Sequence, residues 1–166
     1  MNFLKTMITI GVLALLAACA QPPTKFLTYD GPEVTSLVVF KERREMLVMH
    51  NNDVLQTLNF ELGFAPDGPK QFERDGRTPE GTYRINRRNP NSQFHLSLGI
   101  SYPNVDQVAA AAAVGRDAGG EIFIHGTPRR NEGQDDWTVG CIAVTNDEIE
   151  QLYAMVNDGT PIFILP

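Results

Sequence analysis

Apolar side chains recur with a period of two at Phe94, Leu96, Leu98 and Ile100, with His95 and Ser97 between them. An extended strand with one face in a core produces this pattern, because successive side chains point to opposite faces. The chain repeats the theme in short pieces. Residues 34–40 are apolar and β-branched, and the charged turn Lys41-Glu42-Arg43-Arg44-Glu45 leads into 46–50, which reads as a hairpin. Leu58, Phe60 and Leu62 alternate in a third strand, 63–79 is a loop rich in Gly, Pro and charge, and Tyr83 and Ile85 begin a further strand. Residues 121–125, 140–144 and 161–165 complete the strands. Two helices interrupt them. Asn104 caps one over 105–114, stopped by Gly115. Thr145 and Glu148 form a capping box for the other, whose apolar face is Ile149, Leu152, Tyr153 and Val156. The pattern predicts a mainly β domain with two or three short helices and leaves sandwich and barrel open.

At 166 residues there is room for one core. With 14 Lys and Arg against 20 Asp and Glu, and no basic cluster, the chain is no nucleic-acid binder. Two cysteines cannot make a disulfide scaffold, and His50, His95 and His125 lack the spacing of a zinc-binding helix.

The start of the chain reads as an address. Lys5 precedes the apolar run MITIGVLALL at 7–16, too short to span a bilayer but suited to a signal peptide. Leu16-Ala17-Ala18-Cys19 resembles a bacterial lipobox, which implies cleavage after residue 18 and lipidation of Cys19. Ala20, in place of Asp, implies an outer-membrane anchor facing the periplasm. Residues 19–33 then form the lipidated terminus and tether, and 34–166 the folded domain. Lipidation of Cys19 leaves Cys141 as a lone thiol, either a buried hydrophobe or a reactive group.

His125 ends one strand and Cys141 opens another, with a polar loop between them. Such strand ends can lie side by side, and an adjacent imidazole favours the nucleophilic thiolate. Gly140 and Cys141 offer consecutive backbone N–H groups as an oxyanion site. His95 and Ser97, opposite Phe94 and Leu96, are candidate cleft residues. Arg129, in the loop between the pair, is a candidate carboxylate partner. Trp137 reads as packing, His50 as structural, and Arg84, Arg87 and Arg88 as solvated.

His125-Gly126 followed by Thr138-Val139-Gly140-Cys141-Ile142 resembles the HG…(S/T)xGC signature of the L,D-transpeptidase (YkuD-type) catalytic domain. Thr78-Pro79-Glu80-Gly81-Thr82-Tyr83 is similar to that family's TPxGxY stretch, and Gly159-Thr160-Pro161-Ile162 to its closing strand. The resemblance implies a β-sandwich-like mixed sheet. It implies that Cys141 attacks the diaminopimelate carbonyl of a peptidoglycan stem peptide, with His125 moving the proton, the Gly126 carbonyl orienting the imidazole and Thr138 beside the substrate. A thioester follows, resolved by an amine or by water, with no cofactor or metal. The family usually places Arg two residues after the cysteine; here Ala143 stands there. In this, and in residues 89–103, the chain looks most like a Gram-negative branch that includes the amidase detaching Braun's lipoprotein from the wall. Transpeptidation, hydrolysis that releases a wall-bound lipoprotein, and silent wall binding all remain open at this point. Papain-like, caspase-like and sortase-like contexts around the cysteine are missing.

Overall fold

The computed structural model describes residues 24–166, so the leader at 1–18 and Cys19 lie outside the described residues. The elements are β1 (Ser36–Phe40), β2 (Glu45–His50), β3 (Asp53–Asn59), β4 (Gly81–Asn89), β5 (Ser97–Ile100), α1 (Val105–Ala113), β6 (Phe123–His125), β7 (Ile142–Ala143), α2 (Asn146–Met155) and β8 (Pro161–Leu165). Arg129–Asn131 forms one 3-10 turn.

The strands form one mixed sheet in the order β3-β2-β1-β8-β4-β5-β6-β7. β8 runs parallel to β1 and antiparallel to β4, so the last strand joins the two halves. Beyond β3 the chain reaches the far edge, where Glu61 and Ala143 exchange backbone hydrogen bonds of 2.8 and 2.9 Å. The sheet therefore curls until the chain beyond β3 meets its far edge at this bridge. Leu37, Met46, Leu62, Ile85, Leu98 and Ile124 are fully buried inside the curl. Each contributes roughly 1.5–3 kcal/mol relative to an exposed side chain.

Both helices begin with reciprocal capping boxes, Asn104 with Gln107 and Thr145 with Glu148. α2 drives Ile149, Leu152 and Val156 into the core. Its C-terminal carbonyls are held by Arg88, which donates to Val156 O at 2.5 Å and to Tyr153 O. Arg88 is therefore a capping cation and not a solvated one. Where a tether is expected, Lys25 Nζ donates to Pro90 O at 2.7 Å and to His95 O at 3.0 Å, and the Phe26 ring lies 6.3 Å from that of Tyr153. Residues 25 and 26 thus lie on the domain surface.

The long loop between β3 and β4 is organised by two buried lysines. Lys41 pairs with Glu80 at 2.7 Å and also donates to Gly68 O. Lys70 pairs with Asp75 at 2.8 Å, both side chains almost fully buried. Asp75 also accepts from the backbone N–H groups of Gln71, Phe72 and Arg77. Burial alone would raise its carboxyl pKa, but Lys70 and those three donors outweigh it and hold the group below its ordinary 3.8. The folded state thus favours the charged carboxylate. Its stabilising contribution is complete above the ordinary value and fades as pH falls through the lower folded one. Removing one partner of a buried pair strands the other charge. Asp75→Asn is expected to lower the unfolding free energy by about 3–5 kcal/mol at pH 7 in urea titrations. The deficit should shrink in strong acid, and equal stability at pH 7 would show that the pair does not hold the loop.

Candidate active site

Register places the site residues. Ser97 on β5 pairs with Asn89 on β4 and with His125 on β6, so these three form one row across the sheet. β6 and β7 are parallel, with Ile124 opposite Ile142 and His125 opposite Ala143. Ile124 and Ile142 enter the core, so their neighbours His125 and Cys141 face the other way together. They share a groove of about 350 Å3 with Phe94, Ser97, Glu121 and Phe123.

His125 is 2% exposed and held on three sides. Its Nδ1 lies 2.8 Å from Gly126 O. A carbonyl only accepts, so Nδ1 carries the proton and Nε2 keeps its lone pair. Phe94 stacks on the ring at 4.4 Å between centroids, and Trp137 tilts against it at 5.6 Å. Burial holds the imidazole below its usual pKa, with the Gly126 carbonyl pulling weakly the other way. The ring is a neutral base with one free nitrogen.

Cys141 is half-buried, and its thiol donates to Glu121 O at 3.5 Å. Burial pushes the thiol pKa up. The Phe123 N–H and the charges of Lys70 and Arg87 oppose the rise, and Glu121 adds to it. Among the described residues the sulfur and the imidazole make no direct hydrogen bond. Both groups are desolvated, and desolvation disfavours charge on either, so burial opposes the thiolate–imidazolium form in the absence of substrate. Such contacts commonly tighten only when substrate arrives.

A tight turn presents the sulfur. Thr138 Oγ1 donates to Cys141 O at 2.8 Å and accepts from Gly140 N at 3.1 Å. Thr78 Oγ1 donates to Gly140 O at 2.9 Å, tying the long loop to the turn. Gly140 has φ 125°, and a Cβ there would strike Arg77 O, so only glycine fits.

Several expected site residues therefore change role. The Gly140 N–H is spent on Thr138 and is no oxyanion donor, which leaves the Cys141 N–H. Thr138 is 3% exposed and builds the turn instead of touching substrate. His95 departs from the alternation because its backbone is left-handed, φ 72°. Its Nε2 lies 2.6 Å from Glu150 Oε1 on α2, away from the groove that holds Ser97. Arg129 lies on the 3-10 turn and lines a second groove with Thr127, Trp137 and Ala143, not the sulfur's groove. Phe94 and Thr78 are site-building residues that single-residue chemistry does not reveal. Thr78 was visible only as part of the TPxGxY stretch.

The model of the YkuD family, L,D-transpeptidase catalytic domain, matches residues 35–164. The chain is 33% identical over 101 residues to the "Putative L,D-transpeptidase YafK" of Escherichia coli (strain K12), covering 60% of this chain and 35% of that protein. It is 27% identical over 132 residues to the "Putative L,D-transpeptidase YqjB" of Bacillus subtilis (strain 168), covering 77% and 69%. A variant of the helical cell shape determining protein Pgp2 from Campylobacter jejuni superposes with a TM-score of 0.61 at 26% identity, covering 84% of this chain and 49% of that one. The chain thus spans about a third of YafK and about half of Pgp2.

With the thiol raised and the imidazole lowered, alkylation of Cys141 by iodoacetamide is expected to climb with pH up to and beyond the ordinary thiol value of 9.0. Peptide mapping measures the rate at this one residue. A rate already maximal and flat near pH 7 would reveal a preformed thiolate–imidazolium pair.

Proposed function

The chain belongs to the YkuD family of L,D-transpeptidase catalytic domains, and from that premise we propose that Cys141 carries out acyl transfer on peptidoglycan stem peptides through a thioester. The observation that carries this reading is the placing of His125 and Cys141 on one face of β6 and β7, lining one groove. It also favours an active enzyme over a silent wall-binding protein.

In this reading a stem peptide lies in the groove with its diaminopimelate carbonyl over the sulfur. His125 Nε2 takes the thiol proton as Sγ attacks, so charge appears only in the presence of substrate. The developing oxyanion faces the Cys141 N–H, the donor that the Thr138 turn leaves unspent. The C–N bond breaks, His125 returns the proton to the departing D-alanine amine, and a thioester remains. An incoming amine then completes a transpeptidation, and water completes a hydrolysis. No metal or cofactor enters the sequence. Hydrolysis has one feature in its favour, Ala143. The methyl group there is 2% exposed and leaves no cation at the position where the family usually carries arginine. The hydrolytic substrate would be an amide at the same diaminopimelate centre, such as a wall-attached lipoprotein.

The proposed setting is the periplasm, with residues 1–18 as signal peptide, a lipid on Cys19 reaching the outer membrane, and 34–166 as the catalytic domain.

The test is incubation with purified muropeptides. Loss of D-alanine with a new diaminopimelate–diaminopimelate bond is expected for transfer, and release of a diaminopimelate-linked fragment for hydrolysis. Cys141→Ser is expected to fold and to lose turnover by about 10^3-fold or more. It should also lose the covalent carbapenem adduct that intact-mass spectrometry detects on the wild-type chain. A folded wild-type chain with neither adduct nor turnover would leave the silent wall-binding reading.

A further inference from the structure

A second row of the sheet runs beside the catalytic one and ends in a cation. β4 carries an irregularity between Ile85 and Arg87: Ile85 pairs with Ile100, but Arg87 already pairs with Gly99. Without this bulge at Asn86, Arg87 would share the face of Tyr83 and Ile85, which point into the core. The extra residue turns it onto the opposite face, the face of Ser97 and the groove. β-Bulges characteristically re-aim a side chain in this way.

Gly99 then gives the side chain a path. A Cβ at Gly99 would collide with Arg87 Cγ, so the arginine stem lies flat across the glycine. Gly99 pairs in turn with Phe123 on β6, and the guanidinium carbon sits 4.4 Å from the centre of the Phe123 ring. Phe123 lines the groove and lies beside Cys141, since Cys141 directly precedes Ile142, the partner of Ile124. The row Arg87, Gly99, Phe123 thus delivers a cation from β4 to the rim of the sulfur's groove.

Its present partners are exposed and weak. Arg87 Nη1 donates to Asn86 Oδ1 at 3.1 Å, and Nη2 is 3.3 Å from Glu121 Oε1, a carboxylate whose side chain is 84% exposed. Such a contact contributes little and exchanges readily. Lys70, the other cation acting on the sulfur, is locked on Asp75 and nearly buried. Arg87, at 37% exposure, is the one of the two that a ligand can reach.

We propose that Arg87 is an anion-receiving subsite of the Cys141 groove, binding the free carboxylate of a peptide whose carbonyl lies over the sulfur. The Phe123 ring holds the guanidinium flat, and Glu121 keeps it in place until a peptide carboxylate displaces it. The planar fork of arginine suits a carboxylate. For its natural ligand this rests on the stem-peptide reading, which it deepens by naming the residue that selects a charged peptide. The subsite itself does not require that reading.

The experiment compares two alkylating reagents of similar size on the full chain, anionic iodoacetate and neutral iodoacetamide, with rates measured at Cys141 by peptide mapping. Arg87→Gln is expected to lower the iodoacetate-to-iodoacetamide ratio roughly 3- to 10-fold, the effect of one charge in a partly solvated groove. Arg87→Lys should restore most of the ratio. With stem peptides, the same Arg87→Gln variant should raise KM several-fold with kcat little changed, and the rise should vanish when the peptide carboxylates are amidated. An unchanged ratio, or an equal fall for both reagents, would overturn the subsite. If the wild-type chain turns over no stem peptide, the proposed function fails while the alkylation ratio still decides the role of Arg87.

Discussion

A parallel pairing of two residues, β6 against β7, positions everything chemical in this molecule. It buries Ile124 and Ile142 and thereby commits the alternating residues, His125 and Cys141, to one outward face. The pairing survives at such length because its surroundings over-determine it. On its outer side Ala143 bonds to Glu61, which closes the sheet. Below it, α2 packs Ile149 and Leu152. At its entrance the Thr138 turn holds the cysteine backbone, and Thr78 anchors that turn to a loop whose own shape depends on two buried ion pairs.

This support arrangement determines the electrostatics. The aromatic cage of Phe94 and Trp137 desolvates His125, and the groove wall desolvates Cys141. A resting ion pair is disfavoured on both sides, so a reactive thiolate is not kept standing in an exposed groove. The Gly126 carbonyl settles which imidazole nitrogen is free. In the proposed reaction, charge separation is deferred to the bound complex, where substrate excludes water from the groove.

Much of this was legible in residue patterns. Strict alternation at 96–100, the two capping boxes and the closing strand each have one physical meaning, and the structure uses them. The His–Cys pair was recognisable because it sits in the wider HG…(S/T)xGC pattern, with the TPxGxY stretch before it and the closing strand after it. Less legible was whatever depends on long-range register. Asn86 gives no local sign of a bulge, so Arg87 and Arg88 read as solvated while one crosses Gly99 and the other caps α2. His95 continued the alternation on paper, but a left-handed backbone turns it to Glu150. Lys41 looked like a hairpin charge, and only the fold shows that the loop at 63–79 closes over it. The Gly140 N–H looked free because the Thr138 hydroxyl that takes it belongs to the same signature.

The chemistry depends on His125 resting as a neutral imidazole, protonated at Nδ1 beside Gly126 O, in the groove it shares with Cys141. Nitrogen-15 chemical shifts of the His125 ring, recorded across pH on labelled protein, read tautomer and charge directly. The expected result is a protonated Nδ1 and an unprotonated Nε2 at pH 7, with an imidazolium forming only below the ordinary histidine range. A ring protonated at Nε2 alone, or an imidazolium persisting at pH 7, would contradict it.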